Sequence, residues 1–114
     1  LKFIVKANGN IIADNVDVAD TYFKRLRGLL GKTHLEPGEG LLLTKCSSVH
    51  CLFMKFTIDV VYLSKDMTVM GMETIRPWRI GKLVWGTAHT LELGEGVAMG
   101  LLKKGDVIQL NDRL

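Results

Sequence analysis

Hydrophobic positions recur along this chain at two periods, and the changes between them mark out its elements. Phe3 and Val5 alternate with Lys2, Ile4 and Lys6, the period of a strand, with enough charge to suit a sheet edge. Asn8-Gly9-Asn10 follows; Asn-Gly favours a tight hairpin because both residues tolerate positive φ. Ile11-Ile12-Ala13 is then the return strand. From there the period lengthens. Val18, Tyr22, Leu26, Leu29 and Leu30 fall at helical spacing, with Lys24, Arg25 and Arg27 between them. Asp17 and Asp20-Thr21 are candidate caps, and Gly31 beside Lys32 is a candidate end. The spacing predicts one amphipathic helix over 19–30. Gly28 sits inside it, where glycine costs stability and marks a close contact or an early end.

After the turn Pro37-Gly38-Glu39-Gly40 the period of two returns. Strands are expected over 40–44, 58–63, 68–74, 89–93 and 107–110, with 49–56 extended and a short helical turn over 97–102. Ser64-Lys65-Asp66, Gly94-Glu95-Gly96 and Lys104-Gly105-Asp106 read as turns, the last with its Asp side chain capping backbone amides. Residues 81–86 read as a loop. Many short strands with Gly-rich turns and one helix predict a mainly β (α+β) fold. The expected form is a small, mostly antiparallel barrel or sandwich, its main amphipathic helix near the N-terminus. The strands lie too close together for crossover helices, which argues against a doubly wound sheet. The 114 residues suit a single domain over 1–114.

Composition narrows the class. The chain is 47% hydrophobic and 24% charged, the balance of a soluble globular protein rather than a disordered one. Its apolar runs are broken by charge and fall well short of the roughly 20 residues of a membrane helix. The net charge of +3 comes from 15 Lys and Arg interspersed with 12 Asp and Glu. The densest basic run, Lys24-Arg25-Leu26-Arg27, reads as a solvated helix face. Nucleic-acid binding calls for a broader basic stripe with interleaved aromatics, so none is expected, and no membrane partner either. A monomer without a cofactor is expected. Lys2 to Lys6 is too short for a signal-peptide core, which favours the cytoplasm, with a cleaved upstream signal still compatible.

The candidate chemistry is concentrated in Cys46-Ser-Ser-Val-His50-Cys51-Leu-Phe-Met54-Lys55-Phe-Thr-Ile-Asp59. Polar groups in so apolar a run each need a partner or a task. Thiolate and imidazole are good zinc or copper ligands, and His34 or His89 could complete a set. The spacing fits no standard knuckle, and in a strand His50 and Cys51 face opposite ways, so no metal site is expected. A Cys46–Cys51 disulfide would close a small loop; two inert buried thiols are the favoured alternative. Lys55 can snorkel to the rim or contact an anion. Asp59 interrupts Ile58 and Val60, and a structural clamp competes with a general base beside His50. Trp78, after Pro77, could stack on a planar or sugar ligand; Trp85 reads as a core plug. Glu92 projects away from Leu91 and Leu93 and reads as solvated.

Several landmarks come in a fixed order: Arg27-Gly28-Leu29-Leu30-Gly31-Lys32, Gly38-Glu39-Gly40-Leu41-Leu42, and His50 through Tyr62. Arg76-Pro77-Trp78, Leu91-Glu92-Leu93-Gly94-Glu95-Gly96 and Lys104-Gly105-Asp106-Val107 follow. In order and spacing the chain resembles the domain of unknown function family 192, small bacterial and archaeal proteins. The resemblance runs from about Ala19 to Leu110. It implies a compact β-rich domain with a helix near its N-terminus, and it implies no activity. Two positions depart from the family pattern. The turn after Leu63 reads Asp66-Met67 where Asp-Gly is usual, so a longer hairpin is expected. Cys51 stands where relatives of this branch often carry Thr or Phe.

The reading is therefore a non-enzymatic binding or accessory module with no catalytic residue. Its polar cleft lies around His50, Met54, Lys55, Asp59 and Trp78, open to a small molecule or a protein. Two alternatives remain. One is an enzyme, hydrolytic or thiol-redox, using His50 with Asp59 or the Cys46/Cys51 pair. The other is an interaction domain docking through a sheet edge such as residues 3–5.

Overall fold

A run such as Ile58-Asp-Val-Val-Tyr-Leu63 offers apolar groups to both sides of a strand, so it is stable only where both sides are covered. The computed structural model places it there. Residues 2–19, 34–45, 56–77, 79, 81–82 and 84–112 are described. The chain forms β1 (Lys2–Ala7), β2 (Asn10–Ala19), β3 (Glu39–Leu43), β4 (Ile58–Leu63), β5 (Val69–Ile75) and β6 (His89–Gly94). A short helix, α1 (Val97–Leu101), and β7 (Gln109–Asp112) complete it. The seven strands make one sheet in the order β5-β4-β6-β3-β2-β1-β7. Every neighbouring pair is antiparallel except β2 with β3, so the sheet is mixed. All six residues of β4 are buried.

The sheet is open, not a closed barrel. Its two ends touch at one corner, through the bridge Thr68↔Val107 and the flanking bonds Val69 N–H to Asp106 O (2.7 Å) and Ile108 N–H to Met67 O (2.9 Å). Among the described residues the two edges pair no further, and the chain returning to β6 packs on the face of β5, Val84 over Gly71 and Gly86 beside Met70. The Asp106 carboxylate ties the same corner by accepting the Lys103 N–H at 3.0 Å. Its hydrogen bond from Asn8, with that from Lys103, holds its pKa below the ordinary value.

Two expectations about the N-terminal part change. β1 is not an edge, because β7 comes back to pair along it while β2 holds its other side. Docking through residues 3–5 is thereby ruled out. β2 continues to Ala19 in parallel register with β3, from Asn15↔Glu39 to Ala19↔Leu43. Asp17 is accordingly a strand residue, ion-paired with Lys2 at 2.8 Å, and not a helix cap. The rest of the helix expected over 19–30 falls outside the described residues. Among those described, the one helix is α1, on the C-terminal side. It is far too short to cross a membrane.

Alternation sends β-sheet side chains into two layers. One contains Val5, Val16, Leu42, Val61, Leu63, Leu91 and Leu93, with Ala98 of α1 packed on it. The other contains Ala19, Leu41, Leu43, Ile58, Val60, Tyr62 and Ile75, with Leu35, Phe56 and Val84 against it. Gly40 permits the close approach of β3 to β6: a Cβ there would lie 2.9 Å from a Leu93 methyl and 3.0 Å from the Glu92 carbonyl oxygen. Leu93 is fully buried and cannot yield. Gly40→Ala is therefore expected to destabilise the fold by about 1–3 kcal/mol, read as a lower urea midpoint at unchanged slope.

Candidate functional site

Asp59 enters the first layer from β4, between α1 and the β5 end of the sheet. It is completely buried, and both carboxylate oxygens are engaged. Thr74, directly opposite on β5, donates its hydroxyl to Oδ1 at 2.8 Å. The Met99 N–H of α1 donates to Oδ2 at 3.1 Å. The first amides of a helix have no partner within it. Gly96, the residue before α1, provides no side-chain cap. Asp59 fills that role from another element and so pins α1 to the sheet. Of the two functions open to it, the clamp is the one its geometry serves.

The second layer holds an acidic row. Glu92 of β6 pairs with Val60 of β4, and Val60 pairs in turn with Glu73 of β5. The two glutamates thus lie on one face, two strand spacings apart, about 10 Å between backbones. Glu73 is half-buried and well supplied: its Oε2 accepts the Tyr62 hydroxyl at 2.5 Å and the Lys82 N–H at 2.6 Å. Glu92 is only 6% exposed. Its cross-strand neighbours are Leu41 and Val60, and it takes no hydrogen bond from any described residue. Burial pushes its pKa from 4.5 up to about 7. The expectation of a solvated Glu92 is thus overturned. Three successive leucines on β3, Leu41 to Leu43, were the available signal, since they require cover on both faces of the strands beside them.

Of the five residues assigned to the cleft, Asp59 is described; His50, Met54, Lys55 and Trp78 lie outside the described residues. So do Cys46 and Cys51. The pairing Ile58↔Ile75 nevertheless bears on two of them. Lys55 precedes Ile58 by three residues and Trp78 follows Ile75 by three. The two histidines considered as further ligands have other partners. His34 Nε2 meets Glu36 Oε1 at 2.5 Å, and His89 Nδ1 accepts the Lys45 N–H at 3.0 Å. Among the described residues no three His, Cys, Asp or Glu side chains gather to hold a metal. Trp85 is not a core plug: it is 93% exposed.

An open mixed sheet with a clamped helix defines a small β-rich domain. The chain belongs to the DUF192 family, described as "Uncharacterized ACR", which it matches over residues 3–110. It is 33% identical over 101 residues to a UPF0127 protein of Thermococcus sibiricus, covering 82% of this chain and 64% of that protein. The chain thus spans less than two thirds of the length of that relative. A UPF0127 protein of Pyrococcus furiosus is 34% identical over 110 residues, with 90% and 92% covered. Among solved structures, a protein of unknown function from Novosphingobium aromaticivorans superposes with a TM-score of 0.82 at 20% identity, covering 96% of this chain and 84% of that one. A protein of Sinorhizobium meliloti, described as a proposed transcription regulator, gives 0.83 at 21% identity, covering 96% and 94%. At those identities the likeness concerns the fold alone.

Two measurements check this geometry. Asp59→Ala removes the acceptor of the Met99 amide, while the hydroxyl of the exposed Thr74 can turn to water; a loss of about 1–2 kcal/mol is expected, with faster amide exchange at Met99. Glu92 binds its proton more tightly folded than unfolded. Its contribution is therefore fully present below about pH 4.5 and is lost as pH rises to about 7. Glu92→Gln is expected to remove this slope from urea titrations. At pH 8 it should be the more stable protein, by about 1–3 kcal/mol.

Proposed function

We propose that the protein is a non-enzymatic binding or accessory module whose cleft takes a small anionic ligand with a planar ring or sugar. The cleft is assigned to His50, Met54, Lys55, Asp59 and Trp78, at the end of the sheet where Ile58, Ile75 and Gly94 lie side by side. The observation that supports the reading is the Ile58↔Ile75 pairing, with Lys55 three residues before the one and Trp78 three residues after the other in sequence. In this reading Lys55 contacts the anion and Trp78 stacks on the ring. Asp59 shapes the cleft floor by holding α1 and Thr74 rather than by touching the ligand.

In this reading Asp59, with one oxygen held by β5 and the other by α1, is a structural clamp and not a catalytic partner of His50. Native mass spectrometry of protein purified without reductant, set against a denatured control, tests the reading. A small-molecule mass is expected in the native spectrum and should be missing from Lys55→Ala and Trp78→Ala. A mass retained equally by both variants would place the ligand elsewhere. A loss of two hydrogens would join Cys46 to Cys51 and favour thiol-redox chemistry, and a bare, reduced chain would favour a protein partner.

A further inference from the structure

The chain from β5 to β6 carries a pattern that the cleft does not use. Arg76, Arg79, Lys82 and Trp85 fall at every third position, and all four are exposed. Of the described residues between them, Pro77, Gly81 and Val84 are half-buried. No acid occurs between Glu73 and Glu92. The ion pairs among the described residues are Lys2–Asp17 and His34–Glu36, so none engages these three cations there.

The segment is also anchored. Lys82 N–H is bound by Glu73 at 2.6 Å, and Val84 packs into the second layer against Gly71. Thr87 N–H returns to the Val84 carbonyl at 3.2 Å, closing a turn whose third residue, Gly86, has φ of 87°. Such a turn wants glycine there and presents its second residue outward. That residue is Trp85. Ala88 N–H then bonds the Leu63 carbonyl at 2.8 Å, which fixes the far side of the turn. A large indole is thus held out in water by a fastened turn, forgoing about 2 kcal/mol of burial.

We infer that Arg76, Arg79, Lys82 and Trp85 form a docking ridge for an acidic segment of a partner protein. The cations meet its carboxylates and Trp85 covers an apolar residue beside them. Trp and Arg are the side chains that most often anchor protein interfaces. A membrane surface asks for several apolar groups at one level, whereas among the described residues the other exposed large apolar side chains, Ile11, Met99, Leu101, Val107 and Leu110, lie on other parts of the chain. Single-stranded nucleic acid asks for successive aromatic platforms, and the ridge has one described aromatic. The inference does not rest on the small-molecule cleft.

The test is fluorescence anisotropy of a labelled synthetic peptide of alternating glutamate and phenylalanine. Binding to the wild-type chain should weaken as salt rises from about 0.05 to about 0.5 M. Trp85→Ala should weaken it by about ten-fold or more, and the pair Arg79→Glu with Lys82→Glu should abolish it. Lys104→Glu, the same charge reversal at an exposed turn elsewhere, should stay within about two-fold of wild type. All four sites are exposed, and circular dichroism of each variant serves as the check that it folds. The inference is overturned if the peptide does not bind, or if Trp85→Ala binds as tightly as wild type. It is equally overturned if vesicles of anionic lipid or a single-stranded oligonucleotide compete better than excess unlabelled peptide.

Discussion

The structure depends on the burial of its central strands from both sides. β4 is covered along its whole length and β6 from Thr90 to Gly94. A polar side chain on such a strand has no water on either face, so it must find protein donors or give up its charge. Asp59 and Glu92, on neighbouring strands, show the two outcomes. Asp59 faces a layer in which β5 supplies a hydroxyl and α1 a free amide, and it is fully paired. Glu92 faces Leu41 and Val60, and desolvation raises its pKa to about 7, so it gives up much of its charge up to neutrality. The position of α1 follows from the first outcome, since its five residues would hold little structure without an outside partner for Met99.

How far the chain could be read in advance varied with how local the deciding force was. The strand over 58–63 was legible because a β-branched apolar run has few other stable homes. The turn at Asp106 was legible because its capping is a matter of a few adjacent residues. The continuation of β2 was not. Val16, Asp17, Val18 and Ala19 alternate well enough for a strand and also fit a helical period; pairing with β3, a tertiary event, decides between them. The edge character of β1 failed for the same reason, because β7 arrives from the far end of the chain.

The site was legible in kind more than in detail. A carboxylate inside Ile58 to Leu63 had to be partnered, and Asp59 is. What no spacing rule could show is that its partners lie 15 and 40 residues away. Trp85 was misplaced by a different mechanism. In the pair Val84-Trp85 one side chain had to take the buried side of the turn, and a preference scale chooses the larger. The left-handed Gly86 and the Thr87–Val84 bond give that place to Val84 and turn the indole outward.

Charge is divided between architecture and surface in a way the net value of +3 hides. Many of the described acids are committed to holding the fold. Asp59 clamps α1, Glu73 fastens Lys82 and Tyr62, Asp106 closes the last turn, and Glu39 accepts the Glu36 N–H. Asp17 is tied to Lys2, and Asp66 to Ser64. Glu92 is buried in an apolar layer, where its raised pKa keeps much of it neutral near pH 7. An acid that binds backbone amides or sits under leucines is poorly placed to offset a cation on the surface. Arg76, Arg79 and Lys82 have no such structural duty among the described residues. Their charge therefore reaches solvent with little local opposition, on the stretch whose exposed tip is the Trp85 indole. Glu73 links the two roles: the carboxylate that anchors the segment from beneath is also the nearest acid before it in the chain, and its engagement below helps leave the outer face basic.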